Sequence, residues 1–189
     1  MSLLMVPLTL KCLGVYQNGV WLTLSSILMW IDLMDIGLGN GLRNAVAQYR
    51  AEGRPDMVRK AISSTFAMLA LIAVPIIGLL AFIVNAGDVY ALLSVDRATV
   101  RDLQLIITVA GMLVASTFVM KTVGNVYMGL QLPAVNNLLL ALGATLALVL
   151  TALAYVTGYH TLMDIVIINT LSSLCVWTLS YVFTFYHKY

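Results

Sequence analysis

The sequence predicts an all-α fold: a polytopic transmembrane helical bundle of about six helices, the first of them truncated. Three observations lead there. Hydrophobic residues make up 61% of the 189 positions and charged residues 10%, against about 25% charged in soluble domains, so polar surface is too scarce to coat a soluble fold. Five apolar runs each reach the roughly 20 residues that a helix needs to cross hydrocarbon. The connections between the runs alternate in charge, as the flanks of membrane helices do.

Taken in order, residues 1–10 form a partial span. Only about ten apolar residues precede Lys11, too few to cross a bilayer, and the segment lacks the basic start of a signal peptide. A fuller protein with residues upstream is therefore expected. The first complete span is expected at 19–42, as one helix. The run 61–87 has no charge and contains Pro75, which lacks an N–H and is expected to kink its helix. The run 103–128 contains Lys121, and 133–157 is uncharged and rich in Leu and Ala. The last run, 165–186, carries Asn169, Ser172, Ser173 and Ser180. Interhelical hydrogen bonds explain that seam at least as well as substrate contact does. Each run is expected to be helical because in hydrocarbon a helix satisfies its own backbone. Together they predict a single lobe over 1–189.

The loops set the expected orientation. The loop 43–60 has five basic and two acidic residues, whereas 87–102 has two basic and three acidic ones. Short loops rich in Lys and Arg stay cytoplasmic, so the N-terminus, 43–60, 129–132 and Lys188 are expected inside, and 11–18, 87–102 and 158–163 outside. Gly53-Arg54-Pro55 should break a surface helix, with Pro55 opening the next helix and Asp56 in its first turn.

Several classes are excluded. A net charge of +2 does not favour nucleic acid as a partner. Cys12 and Cys175 show neither a CxxC nor metal spacing, and His160, in a short turn, and His187, at the chain end, have no ligand companion. With no nucleophile–base pair, metal cluster or nucleotide motif, the sequence predicts no enzyme.

The candidate functional residues lie where charge interrupts apolar sequence. In a helix over 19–43, residues eleven apart are almost three turns apart, so Trp21, Asp32 and Arg43 share a face, with Asp35 one turn from Asp32. Ionisable groups at depth persist mainly where they face a cavity or a partner. Asp32 is too short to reach the interface, which favours a cavity over the alternative, a bond to a neighbouring helix, and Asp35 has the alternative role of capping the helix end. Arg43 either joins that cavity or anchors the helix end by snorkelling. Gly37-Leu38-Gly39-Asn40-Gly41 lacks the GxGxxG phosphate spacing and follows no strand. Its Gly37 and Gly41 form a GxxxG suited to close helix packing or to flexing. Thr117, Lys121 and Asn125 share a helix face at i, i+4 and i+8. Lys121 either snorkels or adds a second positive group to the half that holds Arg43.

The run Gly19-Val20-Trp21-Leu22-Thr23-Leu24, then Trp30, then Asp35-Ile36-Gly37-Leu38-Gly39-Asn40-Gly41-Leu42-Arg43-Asn44 resembles the Wzx-type polysaccharide (O-antigen) flippases. These belong to the multidrug/oligosaccharidyl-lipid/polysaccharide exporter superfamily. Leu8-Thr9-Leu10-Lys11-Cys12-Leu13-Gly14 is similar to the end of their first helix. Arg54-Pro55-Asp56, followed by Arg59-Lys60-Ala61-Ile62-Ser63-Ser64, is similar to their first basic loop and third helix. The likeness runs through about residue 66 and is hydropathic beyond. It implies one lobe of a two-lobe transporter in the bacterial inner membrane. It implies translocation of undecaprenyl-diphosphate-linked oligosaccharide for surface polysaccharide and lipopolysaccharide O-antigen; the residues expected to line such a path are Asp32, Asp35, Arg43, Asn44, Lys121 and Asn125, the last two from their helical spacing alone. The implied partners are membrane lipid, the lipid-linked oligosaccharide, and a C-terminal lobe or the polysaccharide assembly machinery. No cofactor is implied beyond a coupling ion, H+ or Na+. Two alternatives stand beside this reading: a cation-coupled exporter of the multidrug type, with Asp32 as the ion site, and a non-transporting half-lobe.

Overall fold

A computed structural model describes residues 2–35, 37–158 and 161–187, apart from the side chains of residues 2, 3, 32, 186 and 187. His160, Lys188 and the His187 side chain lie outside the described residues, and so does the Asp32 side chain.

The helices are α1 (Ser2–Leu33), α2 (Leu38–Ala51), α3 (Pro55–Ala86), the single turn α4 (Val89–Leu92), α5 (Leu103–Met120), α6 (Thr122–Gly129), α7 (Pro133–Thr157) and α8 (Leu162–His187), with no strand among the described residues. Four are long and apolar enough to cross a membrane: α3, the α5–α6 pair, α7 and α8. The expectation of about six spans is corrected accordingly. The cause lies in α1. Two helices meet in it at a kink at Gly14, whose φ of 73° is left-handed, so the expected partial segment and the start of the expected span 19–42 stay distinct, but neither counts among the four. Lys11, Gln17 and Asn18 fall within α1 and dilute its hydropathy.

The expected single helix over 19–42 is also corrected. It stops at Leu33, and a new helix starts at Leu38 after Gly37, whose φ is 82°. An L-residue with a Cβ meets its own carbonyl in that conformation, so glycine is the residue that permits the turn. Arg43 is therefore not in register with Trp21 and Asp32. The segment 43–60 is not a loop either. Residues 43–51 complete α2, a short turn follows, and Pro55 opens α3 with Asp56 in its first turn. α3 continues through Pro75 without interruption.

Packing places α5–α6 at the centre: 44% of its most apolar window is buried, against 17% for α3 and for α7. α5 lies against α3 and α8, α7 against α8, α1 against α5, α7 and α8, and α2 against α3 and α6. The outward faces of α3 and α7 are apolar. Met68, Leu71, Val74, Leu79 and Phe82 are exposed along α3, and Leu138, Leu142, Val149, Leu153 and Val156 along α7. Such continuous apolar faces suit a lipid environment and not water. Two members of the seam on α8 hydrogen-bond within their own helix: Asn169 donates to the Ile165 carbonyl (2.8 Å) and Ser172 to Ile168 (2.5 Å), while the buried Ser180 hydroxyl has no partner among the described residues. Gly143 on α7 fits against the Ser173 backbone of α8, a small-residue contact that lets two helices approach.

Two apolar clusters result. The larger joins Leu24, Leu28 and Ile31 of α1, Leu69 and Ala73 of α3, Ile106, Ala110 and Phe118 of α5, and Ile165 and Val166 of α8. The smaller joins Leu42 and Val46 of α2, Val58 and Ile62 of α3, and Val126 and Leu130 around the end of α6. At the smaller cluster's end, Arg50 donates to the Leu130 carbonyl at 3.4 Å, which sets the α6–α7 turn beside the basic residues of α2. At the other end of the molecule, the Asp96 amide donates to the Tyr16 hydroxyl (2.8 Å) and Gln17 to the Thr99 carbonyl (3.3 Å). These bonds tie α1 to the α4–α5 connection.

That connection is pinned by charge. Arg97 bonds Asp88 at 2.8 Å and lies over the Tyr90 ring at 4.9 Å. The Arg97 guanidinium, helped by the Ala91 and Tyr90 amides, holds the Asp88 carboxyl below its usual range. A carboxyl with a depressed folded value stabilises the fold above its unfolded value, and that contribution is lost as pH falls through the folded one. Amide hydrogen exchange at 88–100, corrected for intrinsic rate, is therefore expected to be flat near neutrality and to accelerate below about pH 4. Arg97→Ala is expected to raise the neutral rate and to flatten the acid response.

Candidate functional site

The break between α1 and α2 is stabilised by Asp35. Its Oδ1 accepts the Gly39 N–H at 2.8 Å, and its backbone carbonyl accepts the Leu38 N–H at 2.9 Å. The first N–H groups of a helix have no intrahelical acceptor, and a carboxylate there also complements the helix dipole. Asp35 thus caps a helix that starts beside apolar neighbours.

Gly39 carries a second constraint. A Cβ at this position would collide with the Asn125 amide and would stand 2.5 Å from the Asp35 carboxylate. Its missing side chain lets α2 approach α6. Gly129 does the same from the α6 side, where a Cβ would stand 2.7 Å from the Arg43 carbonyl and 2.8 Å from Val46. The expected GxxxG contact is corrected on this point. Gly37 serves the turn and a Cβ on Gly41 would meet nothing within 4 Å, so the close-packing glycine is Gly39.

With α2 seated in this way, a hollow of about 310 Å³ opens among α2, α3, α5–α6, α7 and α8. Its polar lining among the described residues is Asp35, Asn40, Arg43, Lys121, Thr122, Asn125 and Asn136, and its apolar wall includes Leu69, Phe118, Leu140 and Trp177. It reaches from Asn136, one turn into α7, to Leu69, about 21 Å along α3 from Pro55 at 1.5 Å per residue. Leu69 and Phe118 of its wall belong to the larger apolar cluster. The volume of the hollow matches on the order of ten waters.

Lys121 stands at the joint between α5 and α6. Its amide bonds the Thr117 carbonyl (2.8 Å), and its carbonyl accepts the Gly124 N–H (2.8 Å), a tightened i to i+3 turn. Thr117 and Thr122 both return their hydroxyls to carbonyls of the previous turn, Leu113 and Val119, a pattern that bends helices locally. Arg43 is exposed and forms no ion pair among the described residues.

Of the residues singled out from the sequence, the structure brings Asp35, Arg43, Lys121 and Asn125 to this one hollow. Asn44 is exposed on α2 and is not among the lining residues, because it is one residue, about 100°, around the helix from Arg43. Asp32 contributes backbone to α1, and its side chain is not described. Asn40, Asn136 and Trp177 were not anticipated. Asn40 is one turn from Arg43 on α2, a spacing that could have found it. Asn136 packs against Gly124 with the Trp177 ring, a tertiary contact with no local signature.

In chemical terms the described residues give the site two cations, three amides, a hydroxyl and one carboxylate that caps α2. Such a set favours an anionic ligand with further hydrogen-bonding groups. No group of three His, Cys, Asp or Glu is placed to hold a metal ion among the described residues. Comparison with known proteins gives no match to a family model, a curated protein or a solved structure.

The geometry of the break sets a stability prediction. Gly39→Ala is expected to destabilise the protein by about 1–3 kcal/mol through overpacking, whereas Gly41→Ala is expected to be neutral or to stabilise by up to about 1 kcal/mol. Thermal unfolding of the two variants in detergent measures the difference. Equal melting temperatures would contradict the close α2–α6 contact.

Proposed function

We propose that this chain is one lobe of a flippase that moves a lipid-linked oligosaccharide, joined through a diphosphate, across the bacterial inner membrane. The basic end, with residues 43–60, faces the cytoplasm. One observation carries the reading: Arg43 and Lys121, from separate helices, line one hollow with Asn40, Asn125 and Asn136 inside an otherwise apolar bundle. A diphosphate–sugar headgroup cannot cross hydrocarbon unaided. Cations and amides in a wet interior replace its water, while the polyprenyl tail stays among the apolar outer faces of α3 and α7. The hollow alone has about 310 Å³, so a second lobe completes the chamber and alternates its access. The resemblance of Asp35–Asn44 to the Wzx-type flippases supports the same reading.

A cation-coupled multidrug exporter, with Asp32 as the ion site, is the second reading; among the described residues the hollow is lined by two cationic side chains and one carboxylate, a carboxylate bonded to Gly39, which favours an anionic ligand.

In the full-length protein expressed in its own cells, Arg43→Ala and Lys121→Ala are each expected to lower surface polysaccharide at least tenfold, the loss of about one charge-assisted hydrogen bond. Membrane abundance should change by less than twofold. Asn44→Ala, outside the hollow, is expected to behave as the unmodified protein. Normal polysaccharide in both charge variants, or an equal loss in Asn44→Ala, would overturn the assignment.

A further inference from the structure

α5 lies between α3 and α8 along their length. Where the first turns of α3 face the last turns of α8, however, a groove of about 560 Å³ remains, lined by Arg59, Lys60, Ser63, Phe66, Tyr181 and Phe185. It shares no lining residue with the central hollow. Its floor is an aromatic ladder that bridges the two helices: Phe66 and Tyr181 have centroids 5.2 Å apart, and Tyr181 and Phe185 4.5 Å apart. Its rim is cationic. Arg59 and Lys60 are exposed and form no ion pair among the described residues.

The spacing orders these groups. Arg59, Ser63 and Phe66 stand at i, i+4 and i+7, on one face of α3, so the rim and the aromatic floor are about 10 Å apart along the helix. Cations therefore mark the level where two spanning-length helices leave the apolar zone, and rings mark the level just inside it. That order is the order of an anionic phospholipid: phosphate first, glycerol and upper acyl chain next. Cations near a membrane surface attract anionic headgroups, and the gain falls off with distance from that surface. A soluble anion would use the rim and leave the rings without a role.

We propose that the α3–α8 groove is a binding site for an anionic phospholipid, with its headgroup on Arg59 and Lys60 and its upper acyl chain against Phe66, Tyr181 and Phe185. The site is separate from the central hollow, and its occupancy does not depend on transport.

The test is native mass spectrometry of the full protein released from detergent after titration with phosphatidylglycerol or phosphatidylcholine. The unmodified protein is expected to retain phosphatidylglycerol about tenfold better. Arg59→Gln with Lys60→Gln is expected to abolish that preference while leaving phosphatidylcholine retention unchanged. Arg97→Gln with Arg101→Gln, the same loss of charge at the other end, is expected to keep it. Equal retention of the two lipids by the unmodified protein would overturn the proposal. So would an undiminished preference in the Arg59/Lys60 variant, or displacement of the lipid by millimolar inorganic phosphate. Because Arg43 and Lys121 are intact in every variant, a failure here is distinct from a failure of the transport assignment.

Discussion

The hydrogen bond from the Gly39 amide to the Asp35 carboxylate holds the site together. The first N–H groups of a restarted helix have no intrahelical acceptor. Asp35 satisfies one of them and sits one turn before the residue it bonds. Gly37 makes the turn sterically accessible, and Gly39 leaves room for both the carboxylate and the Asn125 amide. Three consecutive features of the sequence thus do one job: they stop α1 and restart the chain as α2, against α6. Without the restart, Arg43 would continue the α1 axis and could not share a hollow with Lys121.

The hollow follows from where apolar packing is interrupted. Leu69 and Phe118 of the larger cluster form part of its wall, and the polar residues line another part. In a medium of low dielectric, charges and amides strengthen one another when satisfied and are costly when not. The Arg43 and Lys121 side chains therefore favour a wet space, and a ligand of opposite charge gains more there than at the surface. Charge at the far end has a different role. Arg97, Asp88 and Tyr90 lie in an exposed connection, where an ion pair contributes little to global stability but fixes the loop that meets α1.

Much of the fold is legible in hydropathy, because the ends of α3, α5–α6, α7 and α8 coincide with punctuation that hydropathy and turn chemistry expose: Pro55, Pro133, Gly158 and the charged flanks. The first helix is not legible in that way. Run length counts apolar residues and is blind to backbone torsion, so a left-handed glycine inside an apolar stretch passes as helix. Asp35 followed by Gly37 was the available signal, since a carboxylate ahead of a positive-φ residue is a turn and cap pattern. The same limit applies to the site. Arg43, Lys121 and Asn125 stand out because ionisable and amide groups are expensive within apolar runs. Asn136 does not stand out, because three residues after Pro133 it reads as loop-proximal polarity. Trp177 is a packed aromatic whose place at the wall depends on Gly124, more than fifty residues earlier in the chain.

Water access to the hollow tests the account most directly. In a background with Cys12 and Cys175 replaced, single cysteines at Asn125, Asn136 and Leu71 can be reacted with a charged, membrane-impermeant thiol reagent applied from the basic end. Leu71 is 73% exposed on the apolar outer face of α3 and reports lipid. Asn125→Cys and Asn136→Cys are predicted to label at least tenfold faster than Leu71→Cys, since only hydrated thiols ionise and react. Equal, slow labelling at all three positions would mean that Arg43 and Lys121 face no water-filled space, and the hollow would have no claim to a polar ligand.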